Sequence, residues 1–234
     1  MPDPAEKAKE DPHYTGHRDR LRERFILGGA EALADYELLE LILFMAIPRR
    51  DVKPLAKALI KKFDTLAGVL NAPVAALGEI DGISGTAAIT LKSVAAAGHR
   101  MLKQELINKP LLNNWTRLTD YCRATMGHET KEHFRLLFLN KKNELIADEI
   151  QQSGTVDHTP VYPREIVKRA LELDATALIL CHNHPSGDTT PSTDDIQMTN
   201  AVIDVAKAMG IAVHDHIIVS RKGVASFRAM KLIQ

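Results

Sequence analysis

Cysteine is scarce in this chain. Cys122 and Cys181 are the only two in 234 residues, too few for a disulfide framework and without CxxC spacing. A reducing, cytoplasmic setting is the expectation. Long apolar runs are missing as well, and none approaches the ~18 residues that a membrane-spanning helix needs. The longest, Leu38 to Ile47, is interrupted by Glu40 and reads as a buried helix, so no membrane partner is expected. Charge of one sign is also lacking, with 30 Lys plus Arg against 30 Asp plus Glu. That balance removes a bulk electrostatic pull on nucleic acid and leaves local basic patches as the only route to it. No internal repeat is visible. The opening residues, 1–15, are polar, contain proline and lack the apolar centre of a signal peptide; they read as a flexible tail.

What is present is an ordinary globular composition, 45% hydrophobic and 26% charged, in a chain long enough for two modest cores. From residue 16 to 105 apolar residues recur at helical spacing, as in Leu38, Leu39, Ile42 and Leu43, then Leu55, Leu59, Ile60 and Phe63. Pro48 and Pro54 punctuate these segments, and Asp35 and Asp51 are placed to cap helices. Residues 106–116, rich in asparagine and broken by Pro110, read as a linker. Over 117–234 the pattern changes: a helix from about Arg117 to Met126, then strands at Phe134–Leu139 and Glu144–Gln152. A helix opening at Pro163, a buried strand at Ala177–Cys181, a helix from Ser192 to Met209 closed by Gly210, and a strand from Ile211 to Ser220 follow. Gly154 and Pro160 mark loops. The expected fold is a small all-helical domain followed by a mixed α/β domain, α+β overall.

One string carries chemistry: Cys181-His182-Asn183-His184-Pro185-Ser186-Gly187-Asp188, then Thr189 to Asp195. His182 and His184 are two apart at a strand exit, so both imidazoles project to one face. Gly187 and Pro191 turn the chain into a helix whose N-cap is Ser192, which puts Asp195 in its first turn, aimed back at the histidines. Two imidazoles and a carboxylate suit zinc, and three protein ligands leave a fourth position open, the pattern of a catalytic site rather than a structural one. Asp188 and Asp194 read as loop and capping residues. A second pair, His214 and His216, is open to metal ligation or to a supporting role in the core.

HxH, seven residues, then SxxD resembles the signature of JAMM/MPN-type metallohydrolases. Val161-Tyr-Pro-Arg-Glu-Ile and His182-Asn-His-Pro-Ser-Gly-Asp resemble the RadC branch of that family, and the likeness runs from about Gly16 to Leu232. It implies a cytidine-deaminase-like α/β domain holding one zinc ion per chain through His182, His184 and Asp195. It further implies hydrolysis of a peptide or isopeptide bond in a peptide or protein substrate. The glutamate that serves as general base in such enzymes matches Glu132, just before the first core strand, with Glu149 and Glu165 as competitors. The serine that steadies the oxyanion matches Ser192.

In the helical half, Leu77-Gly-Glu-Ile-Asp-Gly82-Ile83-Ser84-Gly85 resembles a helix-hairpin-helix turn, with Ser84 where a second glycine usually stands. The resemblance implies DNA contact through Gly82, Gly85 and Lys92; a hairpin used for packing or protein contact is the alternative. Residues 1–109 hold 16 Lys or Arg against 15 Asp or Glu, so any such contact would be weak and salt-sensitive. RadC-like proteins have long carried a DNA-repair label, which gives a second reading: a DNA-binding protein whose metal serves nuclease chemistry or stability. A scaffold in which zinc orders the fold without turnover is a third.

Overall fold

The computed structural model describes residues 16–107, 109–153 and 162–233. The expected tail at 1–15 and the loop markers Gly154 and Pro160 lie outside the described residues. Contacts divide the chain into two compact units, residues 1–95 and 96–234, each with its own core.

The first unit is helical: α1 (His17–Gly28), α2 (Asp35–Ala46), α3 (Lys53–Phe63), α4 (Leu66–Asn71), α5 (Val74–Gly78) and the start of α6 (Gly85–Leu106). The periodic stripes become the core, with Leu39, Ile42 and Leu43 of α2 packed with Leu55, Ala56 and Leu59 of α3. Asp51, expected as a cap, stands one residue before the N-cap Val52 and accepts the Lys53 N–H at 2.9 Å, and Pro54 sits in the first turn of α3. Asp35 does not cap α2. It is the first helical residue, and the carboxylate of Glu37 accepts the Ala34 N–H instead, at 3.0 Å. Glu40, the charge inside the apolar run, is fully buried and paired with His17 at 2.7 Å.

The second unit is a five-stranded sheet in the order β2-β1-β3-β4-β5. Its strands are β1 (His133–Leu139), β2 (Leu145–Ser153), β3 (Ala177–Asn183), β4 (Ala212–Val219) and β5 (Val224–Ser226). Only β3 and β4 run parallel; the other neighbours are antiparallel. Helix α7 (Trp115–Met126) packs on one face with Leu137, Ile179 and Ile217. Helices α8 (Pro163–Glu172) and α9 (Thr193–Ala208) share a core with Leu136, Phe138 and Leu180. A central strand covered on both faces needs apolar residues at successive positions rather than alternation, and every residue of β3 is buried.

The described residues of segment 106–116, expected as a linker, pack into this unit. Leu106 and Leu111 are fully buried in the core under α7, and Pro110 bridges to Glu144. Its two leucines anchor it where asparagine and proline suggested a free connection. Strand β5 was not anticipated; three residues carry too little pattern to register.

Candidate metal centre

The site lies where β3 ends. His182 is the penultimate residue of that strand and His184 follows it directly. Gly187, with φ of 90°, adopts a conformation that L side chains rarely take, and folds the loop so that the Asp188 carbonyl meets His184 Nδ1 at 2.7 Å. Ser192 caps α9 as expected. Its hydroxyl accepts the Asp195 N–H at 3.1 Å and donates to Asp195 Oδ2 at 2.6 Å, while the Ser192 N–H donates to the same oxygen at 2.8 Å. Capping therefore also fixes the rotamer of Asp195.

Four side chains converge. His182 Nε2 and His184 Nε2 lie 2.9 Å apart. Asp195 sets Oδ1 3.2 Å from His182 and Oδ2 3.6 Å from His184. Glu132 stands farther out, with Oε1 4.0 Å from His182 Nε2 and 3.9 Å from His184 Nε2. Glu132, His182 and His184 together offer ligand atoms within 4.8 Å of one another, a group able to hold a metal ion. Ligand bonds of about 2.0–2.2 Å separate tetrahedral donors by about 3.3–3.6 Å. On that measure Asp195 fits better than Glu132 as the third donor beside the imidazoles. Glu132, His184 and Asp195 are all partly exposed, whereas His182 is buried at the back of the cluster.

The protons around the site can be assigned. Thr199 donates its hydroxyl to the Asp195 carbonyl at 2.6 Å, so the 2.6 Å contact with His216 Nδ1 requires the imidazole to be the donor. Burial pushes His216 well below the usual histidine range, so it is neutral and its Nε2 is an acceptor. The 2.7 Å contact with His182 Nδ1 then makes His182 the donor at that atom. Burial likewise lowers His182, to about 4, and leaves Nε2 as a bare lone pair. His184 donates Nδ1–H to Asp188, so its Nε2 is bare whenever the ring is neutral. Two lone pairs and a carboxylate thus face one another within 3.6 Å. Acceptors at such range need a cation among them. Where only a proton is available, the hydrogen bond and charge of Asp195 raise His184 above its ordinary value. Burial would raise Asp195 too, but the hydrogen bond from His184, His182 wherever it is protonated, and the bonds from Ser192 outweigh it and hold the carboxyl far below normal. The donor set fits a divalent metal.

Two family models match the sequence: the RadC-like JAB domain over residues 112–232 and the UPF0758 N-terminal domain over residues 14–89. This chain belongs to the RadC family. Its JAB domain carries the His, His and Glu cluster just described, a possible metal site, and a domain of this class suggests a metal-dependent hydrolase.

The remaining expected residues are dispersed. Glu149 is clamped by Arg169 at 2.6 Å, and Glu165 lies in the first turn of α8 against Arg164. His214 turns away and meets Asn143 at 2.7 Å. In the helical unit, Gly82 has φ of 94°, Gly85 opens α6, and Ser84 Oγ accepts the Ala87 N–H at 3.2 Å, which gives the serine a capping reason for its place. Lys92 donates to the carbonyls of Asn71 and Ala72 at 3.0 and 3.2 Å, closing the end of α4.

Two residues of the RadC site escaped sequence reasoning, Thr199 behind His216 and Asn183 beside Glu132; His216, read as open to a supporting role, takes one behind His182. The Asn183 side chain is buried, donates to the Lys131 carbonyl at 2.9 Å and accepts the His133 N–H at 2.8 Å. It grips the backbone on both sides of Glu132.

Proposed function

We propose that this RadC protein is a zinc-dependent metallopeptidase of the JAMM type, cleaving an amide bond in a peptide or protein. One zinc ion per chain is held by His182, His184 and Asp195. The observation that carries the reading is the convergence of two unprotonated Nε2 atoms and a carboxylate within 3.6 Å, with no proton donor between them while both rings are neutral.

Zinc in that position supplies Lewis acidity, polarising a carbonyl and making water easier to deprotonate. Glu132, about 4 Å from both imidazoles, stands one water's width outside the triad. It takes a proton from the attacking water and returns it to the departing amine. Asn183 holds Glu132 at that distance by fixing its flanking backbone. His216 and Thr199 hold His182 in the tautomer that presents a lone pair. Ser192 orients Asp195; to donate to an oxyanion, its hydroxyl would first have to release Asp195 Oδ2.

Metal analysis of purified protein tests the ligands. About one zinc per chain is expected, and none in His182→Ala or Asp195→Ala. Glu132→Gln should keep zinc and lose peptide hydrolysis by about 10²–10⁴-fold; a fully active Glu132→Gln protein would remove it as the base. Cleavage of DNA but not peptides by the wild type, lost in Glu132→Gln, would move the same site to phosphodiester chemistry.

A further inference from the structure

The helical unit contains a cavity rich in arginine. Gly16, His17, Arg18, Arg22, Phe44, Arg49 and Arg50 are among the residues enclosing a cavity of about 340 Å³ between α1 and the α2–α3 connection. Four of the residues around it are arginines. Of the acids nearby, Asp19 pairs with Arg22 at 3.0 Å, Asp51 accepts the Lys53 N–H, and buried Glu40 is bound to His17 through one of its two oxygens. Arg18 is anchored over the Phe44 ring, 4.3 Å from its centroid, and donates to the carbonyls of Ile47 and Arg50.

Arg49 and Arg50 differ. Among the described residues their guanidinium groups make no hydrogen bond or ion pair. Both residues line the cavity, and Arg49 has φ of 61°, a left-handed backbone position. The Arg50 guanidinium also reaches Gly82, where an added Cβ would lie 2.9 Å from both Nη atoms. The cation that approaches the Gly82 turn is therefore Arg50, while Lys92 is occupied with α4. Unpaired guanidiniums are planar forks that suit oxyanions, and several around one cavity match a tetrahedral anion with many acceptors.

We propose that Arg18, Arg22, Arg49 and Arg50 form a binding site for a phosphate group. The group belongs either to a nucleic-acid backbone or to a small phosphorylated molecule, and the two sources share this chemistry.

Binding of pyrophosphate by calorimetry, and of fluorescein-labelled single-stranded and duplex DNA by anisotropy, tests it on the full chain. Arg49→Ala/Arg50→Ala should weaken whichever probe binds by about tenfold or more, and for DNA should reduce the slope of log K against log salt by about two. Lys61→Ala/Lys168→Ala, which removes equal charge elsewhere, should leave binding unchanged, as should His182→Ala. Loss of DNA binding in the arginine variant identifies a nucleic-acid backbone as the source; loss of pyrophosphate binding by a protein that ignores DNA identifies a small phosphate ester. The proposal is overturned if the wild type binds neither probe at about 50 mM salt. It is equally overturned if the arginine variant binds like wild type, or if the lysine control loses as much.

Discussion

Replacing His216 with leucine should weaken zinc binding although His216 touches no metal. The ring is fully buried, and its Nε2 accepts the Nδ1–H of His182 at 2.7 Å. Leucine leaves that N–H without an acceptor, which costs about 1–3 kcal/mol for a buried donor. His182 can avoid the penalty by moving its proton to Nε2, where Asp195 Oδ1 lies 3.2 Å away, but that tautomer points a donor at the metal position. Binding must then either reverse the tautomer or bury the N–H unpaired. With about 1.4 kcal/mol per decade, affinity should fall by about 10–100-fold. Glutamine at 216 offers a carbonyl oxygen to His182 and an amide N–H to Thr199, so His216→Gln should recover much of the loss. Competition for zinc against a chromophoric chelator measures both, on variants whose unfolding transitions confirm a native fold. A His216→Leu affinity within about twofold of wild type would refute the tautomer argument. So would a His216→Gln protein as weak as His216→Leu.

Asn183→Ala should destabilise the protein by about 1–3 kcal/mol in urea unfolding, since the His133 N–H loses its acceptor, and should depress hydrolysis further than zinc content. Zinc lost in proportion to activity would mean that Asn183 supports the ligands rather than Glu132. Ser192→Ala should cost about 0.5–2 kcal/mol of stability and weaken zinc; loss of activity with stability and zinc intact would assign the hydroxyl to the oxyanion instead. Metal-free protein should lose stability on acidification. His182 drops from 6.5 unfolded to about 4 folded, so the unfolded chain takes up the proton first as pH falls. The stabilisation is whole above about 6.5 and is lost towards 4, on the order of 3 kcal/mol for this group. Burial lowers His128, His214 and His216 in the same sense, against an opposing rise at His184. Urea midpoints in chelator at pH 7 and pH 5 test this; equal or greater stability at pH 5 contradicts it.

Much of the fold was legible because burial leaves a period in the sequence. Helices α2 and α3 bury the residues their apolar spacing selects, and β3 is continuously apolar because both its faces are covered. Segment 106–116 misled because composition describes a solvated chain, whereas two leucines sufficed to draw it into the core. Of the histidine pair on β4, the supporting role that the sequence left open falls to His216 and not to His214. Alternation from His214 to His216 implies a shared face, yet the β3–β4 register shifts where Leu178 pairs with Val213 and Ile179 with Asp215. His214 is the extra residue, so it leaves for Asn143 while His216 faces His182. A bulge is a property of two strands, and neither strand's own sequence states it.

The ligands and the base of the candidate site differ in the same respect. His182, His184 and Asp195 are tied by one short stretch of chain, so spacing alone brings them together. Glu132 arrives from another strand, and its distance from the imidazoles depends on β1 pairing with β3 so that Phe134 stands opposite His182. A one-residue slip of that pairing would displace Glu132 by about 3.3 Å and turn alternate residues of β1 to the wrong face. Apolar burial resists the slip along the strand, but β1 begins at His133, and Glu132 lies just beyond its last ladder contact. The Asn183 amide spans that gap, holding the Lys131 carbonyl and the His133 N–H from the residue between the two histidines. The HxH motif therefore does two jobs: its histidines face the metal position, and its middle residue fixes the register of the strand that carries the base.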